Sequence, residues 1–163
     1  MPNYMKTLIV YCSDEGTAEK CANQLKGKLQ DKADVIDLKK TGTPEITGYD
    51  IVVVGGSIHV GSVQKQLQEF VKIKEKELLS KNIALFLCCG QQESIEQYFE
   101  AAFPKDILNH AFARINMGYA YNFDRLGFLK KLIIKKIAKV DKSIDNIKYE
   151  NIDQLAYTIN NIK

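Results

Sequence analysis

The stretch that decides the fold is Met5-Lys6-Thr7-Leu8-Ile9-Val10-Tyr11, followed directly by Cys12-Ser13-Asp14-Glu15-Gly16-Thr17. An apolar strand runs into a short polar turn that contains one glycine. An amphipathic helix then leaves the turn with Cys21, Leu25 and Leu29 on one face. Strand, polar turn and helix N-terminus together suit an anion. The first N–H groups of a helix have no intrahelical partner, and the helix dipole favours negative charge there. Ser13 and Thr17 add hydroxyl donors, and Gly16 lets backbone approach a ligand with no Cβ in the way. Ser13, Asp14, Glu15, Gly16, Thr17 and Ala18 are therefore expected to cradle a phosphate. The turn has no lysine and no second glycine, so it is neither of the glycine-rich loops that hold nucleoside triphosphates or dinucleotides.

Working outward, three near-continuous apolar runs stand at Leu8–Cys12, Ile51–Gly55 and Ile83–Cys89. Strands covered by helices on both faces read this way. Weaker, alternating strands are expected at Asp34–Leu38 and Phe112–Tyr119. Helical spacing appears at Ala18–Leu29, Val63–Leu79 and Ile95–Phe103, and beyond the strand at Phe112–Tyr119 the chain reads as helical to its end. Alternating strands and helices give an α/β sandwich. Right-handed crossovers leave few windings, and the strand order 2-1-3-4-5 accommodates this one. One domain over residues 1–163 is expected, doubly wound around a five-stranded parallel sheet. That winding sets the turn after strand one beside the turn after strand three.

The turn after strand three is Gly55-Gly56-Ser57-Ile58-His59-Val60-Gly61-Ser62. Its small residues allow a planar ligand to come close, and His59 is the candidate platform beneath it. After strand four comes Cys88-Cys89-Gly90-Gln91-Gln92-Glu93. Gly90 suits a tight turn, and the amides of Gln91 and Gln92 can donate and accept.

The first turn resembles the hydroxyl-rich phosphate loop of flavodoxins, roughly S/T-x-T-G-x-T. Ser13 and Gly16 match, and Ala18 stands where the last threonine would be. The loop Val54–Gly61 looks especially like one branch, the flavodoxin-domain protoporphyrinogen dehydrogenases, with their Gly-x-Ser-Ile-x-x-Gly loop. The resemblance implies a flavodoxin-like fold and bound FMN, with the phosphate on Ser13–Ala18. It implies that the ring lies between Gly56, Ser57, Ile58, His59, Val60 and Gly61 on one side and Cys89, Gly90, Gln91 and Gln92 on the other. The aromatic that flavodoxins usually carry in the third loop is absent here. So is the long insertion that the dehydrogenases carry after the fourth strand.

Composition adds limits. No apolar run is long enough to span a bilayer, and no signal peptide is expected, since the N-terminus leads straight into the first strand. The four cysteines make no C-x-x-C, and His59 and His110 lie far apart, so no metal site is expected. Reduced, buried thiols in a cytoplasmic protein are the expectation. Between Asp124 and Lys142 seven basic residues face two acidic ones, a local +5 in a chain whose total is +3. Such concentration in one segment, about 119–142, speaks against a nucleic-acid-binding domain. Leu126, Leu129, Ile133, Ile137 and Val140 form a helical stripe there, widened by Leu132, which is expected to pack on the chain's own sheet. The charges Arg125, Lys131, Lys135 and Lys139 suit an acidic partner or the inner face of a membrane.

The expected function is an FMN-binding redox protein, either an electron carrier or an oxidoreductase. Its partners would be a redox protein, a quinone or a porphyrinogen. A flavin-free binding module of the same fold is the competing expectation, because Asp14 and Glu15 would repel a phosphate unless they turn to solvent. No side chains are assigned to proton transfer or nucleophilic attack.

Overall fold

A computed structural model describes residues 4–121, 127–137 and 143–162. Five parallel strands form the central sheet: β1 (Thr7–Tyr11), β2 (Ala33–Asp37), β3 (Ile51–Ser57), β4 (Asn82–Cys88) and β5 (Ala113–Asn116). Their order is β2-β1-β3-β4-β5, as the alternation of strands and helices predicts. Leu8–Val10, Ile51–Val54 and Ile83–Leu87 are wholly buried, which is why those runs carry no polar residue.

Helices cover both faces. On one, α1 (Thr17–Lys28) and α7 (Tyr149–Asn160) bury Cys21, Leu25, Ile152, Leu155 and Ile159 against Ile9, Val53 and Phe86. On the other, α3 (Lys65–Leu78), α4 (Ile95–Ala102) and α5 (Lys105–His110) bury Leu67, Phe70, Phe99 and Ile107 against Val52, Val54 and Leu85. The four-residue α2 (Leu38–Thr41) follows β2 and is capped by Asp37, whose carboxylate accepts from Lys39 N at 2.9 Å.

The expected strand Phe112–Tyr119 is broken in two. β5 ends at Asn116, and β6 (Gly118–Tyr121) leaves the main sheet to pair antiparallel with β7 (Ile144–Ile147). The turn is made at Gly118, at φ +82°, where a Cβ would stand 2.2 Å from Asn146 O. Asn116 holds the corner by accepting from Gly118 N at 2.9 Å. β7 also corrects the expectation of continuous helix to the end of the chain.

The two strands of this small sheet are joined by residues 122–143, which include α6 (Phe128–Ile137). The described part of the stripe expected to pack on the sheet does not do so. Leu129, Leu132 and Ile133 are exposed. Leu126, Val140, Arg125 and Lys139 lie outside the described residues, as does the side chain of Ile137.

Candidate functional site

The carboxyl ends of β1, β3 and β4 bring the three sequence-predicted loops together. Cys12 N donates to Gly55 O at 3.1 Å, and Ile58 N donates to Cys88 O at 3.0 Å. The loops are thus stitched side by side by continuation of the parallel ladder.

The first loop is closed by Ser13, whose Oγ accepts from Gly16 N at 2.9 Å. Gly16 caps α1 with φ 90°, a left-handed conformation that a β-branched residue adopts only under strain. The first helical bond runs from Lys20 N to Gly16 O, so the N–H groups of Thr17, Ala18 and Glu19 precede the intrahelical ladder. Ala18 is fully buried, and its backbone is what it can offer a ligand. Thr17 corrects an expectation. Its hydroxyl donates to Ala120 O at 3.0 Å, tying α1 to β6, and is spent as a donor.

Two cavities of about 520 Å³ each border this loop. One is bounded by Glu15–Thr17 and Lys20 together with Ala120, Ser143 and Asp145. The other is bounded by Ser13–Gly16 together with Asp37, Lys39 and Lys40. Both adjoin the helix N-terminus; neither extends to the second or third loop.

Asp14 does not stand as an unpartnered carboxylate. Its Oδ1 lies 2.6 Å from Lys39 Nζ, and its Oδ2 accepts from Gln64 Nε2 at 3.0 Å. Partial burial pushes the Asp14 carboxyl up, but the hydrogen bonds from Lys39 and Gln64 outweigh it and hold its pKa below the ordinary aspartate value. Glu15 lines both cavities.

Gln64 extends the connection. Its Oε1 accepts from Ser57 N at 3.4 Å and sits 2.9 Å from where a Cβ on Gly56 would be. Any side chain at position 56 would displace it. Ser57 Oγ is buried without a hydrogen-bond partner, a polar atom on the site that the described residues leave unsatisfied.

The second loop folds into a tight hairpin. His59 N donates to Ser62 O at 2.8 Å, and Ser62 N donates to His59 O at 3.2 Å. Val60 (φ 49°) and Gly61 (φ 79°) make a turn with both central residues left-handed. Val60 is 93% exposed. His59, the expected platform, is exposed beside it, and the branched Val60 holds the outermost position.

In the third loop, Gly90 lies beneath the Tyr119 ring, whose nearest atom is 3.1 Å from the position of a Cβ on that glycine. The loop itself carries no aromatic, and β6 sets this ring beside it. Asn146 Nδ2 donates to Tyr119 Oη at 2.7 Å. Gln91 Oε1 accepts from Tyr98 Oη at 2.7 Å, and Gln92 Oε1 accepts from Asn116 Nδ2 at 2.8 Å and from Lys148 Nζ at 2.5 Å. With their oxygens engaged as acceptors, both side chains keep their amide N–H groups as donors. Cys89 Sγ accepts from Gln91 N at 3.3 Å, and burial pushes its thiol up.

Lys39, Gln64 and Tyr119 are the residues that sequence reasoning missed. Lys39 comes from α2, Gln64 from the N-cap of α3 and Tyr119 from β6, and none belongs to a linear motif that spacing could reveal. Among the described residues no cluster of histidine, cysteine and carboxylate side chains could hold a metal ion, and no helix is long and apolar enough to cross a membrane.

Comparison with known proteins places this geometry. Residues 8–147 match a family described as the flavodoxin domain. Flavodoxin 1 of Salmonella typhimurium is 34% identical over 96 residues, which are 57% of this chain and 54% of that protein. Protoporphyrinogen IX dehydrogenase [quinone] of Escherichia coli is 34% identical over 85 residues, 50% of this chain and 47% of that protein. The chain thus spans about half the length of these curated relatives. A flavodoxin structure from Streptococcus pneumoniae superposes with a TM-score of 0.55 at 15% identity, covering 93% of this chain and 95% of that one, a likeness of fold.

Proposed function

Because the chain belongs to the flavodoxin domain family, we propose that it holds FMN non-covalently and works as a redox protein, as an electron carrier or as an FMN-dependent oxidoreductase. When bound, FMN supplies the chemistry, taking up and releasing one or two electrons. The protein's own residues do the gripping. The N–H groups of Thr17, Ala18 and Glu19, with the Ser13 hydroxyl, would hold the phosphate. Gly56 to Gly61 and Cys89 to Gln92 would flank the ring, with Tyr119 beside the third loop.

The observation that carries this reading is the N-terminus of α1. Gly16 turns the chain left-handed there, the intrahelical ladder starts only at Lys20 N, and two open cavities adjoin the turn. Ser57 supports it, since its buried hydroxyl lacks a partner among the described residues. Lys39 and Gln64 support it too. They neutralise and fix the aspartate that would otherwise repel a phosphate.

The electron partner is a redox protein, a quinone or a porphyrinogen. The Escherichia coli relative favours a dehydrogenase that oxidises a porphyrinogen and passes the electrons to a quinone. Work on the cytoplasmic side belongs to the same reading, with the basic segment Arg125, Lys131, Lys135 and Lys139 touching the inner face of a membrane. A flavin-free module is the second reading, favoured by Asp14 reaching across to Gln64 between two of the loops.

The visible spectrum of the purified chain, before and after incubation with FMN and gel filtration, separates the readings. Retained flavin absorption that bleaches under dithionite supports the first. Protein that stays colourless supports the second.

A further inference from the structure

Among the described residues, α6 differs from the other long helices. Each of α1, α3 and α7 buries a continuous apolar face against the sheet and leaves at most isolated apolar residues such as Ile73 or Tyr157 exposed. In α6, Phe128 is 76% exposed, Leu129 73%, Ile133 54% and Leu132 49%. At 3.6 residues per turn these four fall within an arc of about 140°. Monomeric soluble proteins seldom leave such a face bare. The same ten residues hold four lysines (Lys130, Lys131, Lys135, Lys136) and no acidic residue. Lys131 and Lys135 stand together on one flank of the arc, and Lys136 falls within it.

From this juxtaposition we infer that α6 is a docking surface for an anionic lipid bilayer, lying in the plane of the membrane with Phe128, Leu129, Leu132 and Ile133 inserted among the acyl chains. The charge decides between occupants. An apolar face that met a second copy of α6 would bring lysine against lysine. A bilayer with anionic headgroups offers apolar depth and negative charge together, and long lysine stems reach back from an apolar surface to that charge. The inference adds apolar insertion to an electrostatic contact, and it does not depend on which cofactor the site holds.

The placement matters for function. Residues 122–143 leave the small sheet at Tyr121 and return to it at Ile144, where the two strands pair. One residue of β6, Tyr119, lies on Gly90 of the third loop, and Thr17 of the first loop bonds to Ala120. The docking helix is therefore tethered to the strands that wall the candidate site.

The test uses the purified full chain and vesicles of phosphatidylcholine with or without phosphatidylglycerol. The sequence has no tryptophan, so Phe128→Trp makes a single fluorescent reporter. The expected results are co-sedimentation with the anionic vesicles only, and a shift of the reporter's emission to the blue on binding. Lys131→Glu with Lys135→Glu should lower binding by about ten-fold or more. Leu129→Ser with Ile133→Ser should also weaken it, with an unchanged circular dichroism spectrum as the control for folding. Binding without a blue shift would overturn insertion. Absence of binding to anionic vesicles would overturn the inference outright. If the chain also sedimented as a dimer that Leu129→Ser with Ile133→Ser dissolves, the face would belong to a second copy.

Discussion

Asp14 Oδ2 accepts a hydrogen bond from Gln64 Nε2 at 3.0 Å, joining the loop after β1 to the N-cap of α3 across fifty positions of sequence. The other end of the same amide lies 3.4 Å from Ser57 N, at the end of β3. Gln64 is buried, and both of its contacts are partly shielded from water. Replacing it with leucine leaves the Ser57 N–H without that acceptor and Asp14 with Lys39 alone. Loss of such a buried partner costs about 1–3 kcal/mol. Gln64→Leu is therefore expected to lower the urea midpoint and to weaken FMN binding, because the two loops lose their common brace. Unchanged stability and affinity would show that the brace is idle.

The charge state of Asp14 sets a pH dependence. Its pKa in the folded chain is held below the ordinary aspartate value, so folding favours the ionised form. Stability from this source is fully present above the unfolded-state pKa of about 3.9 and is lost as pH falls through the lower folded value. Urea unfolding of the parent and of Asp14→Asn checks this. The difference between the two should be constant above about pH 5 and shrink as the pH drops below about 4. A difference that grows on acidification would contradict the assignment.

Val60 is a branched residue in a left-handed turn, at φ 49°, and almost wholly exposed. No packing gain offsets its strain. Asparagine adopts that conformation at much lower cost. Val60→Asn is expected to stabilise the chain by about 1 kcal/mol, read as a raised urea midpoint. If FMN affinity falls while stability rises, the strained valine is retained for the ligand. If neither changes, the hairpin tip is not under strain.

The four cysteines are all free and buried. Cys88 Sγ lies 3.8 Å from Cys21 Sγ, and this contact, followed by burial, pushes the Cys88 thiol well above its ordinary value. Burial, reinforced by Asp37, pushes Cys12 up to about 12. Thiolate is the reactive form. At pH 8 the native protein should therefore give almost no colour with Ellman's reagent, and the unfolded protein should give four equivalents. Rapid reaction of one thiol in the native state would mark a pocket open to solvent at that cysteine.

The sheet was legible because burial on both faces leaves no room for polar residues, so β1, β3 and β4 stand out as unbroken apolar runs. The turn at Ser13–Gly16 and the start of α1 were legible because an apolar strand running through a polar turn into a helix N-terminus leaves a local signature. The break at Gly118 was not, since its cause is the backbone of Asn146, which only tertiary folding brings near. β7 was hidden for the same reason: four residues acquire a strand's identity only from their partner β6. The roles of Lys39, Gln64 and Tyr119 are likewise products of proximity and carry no linear motif. The stripe in α6 was legible as a helical pattern, yet periodicity reports an apolar face without saying what covers it.

The central claim is that backbone groups at the start of α1 hold the phosphate of FMN. It is tested most directly by titrating apoprotein into FMN and following flavin fluorescence, with the parent chain and with Gly16→Val. The account predicts quenching that saturates at one FMN per chain for the parent. For Gly16→Val it predicts affinity lower by about ten-fold or more, because valine cannot hold φ 90° without strain. FMN fluorescence unaffected by the parent chain, or equal affinity in both proteins, would contradict it.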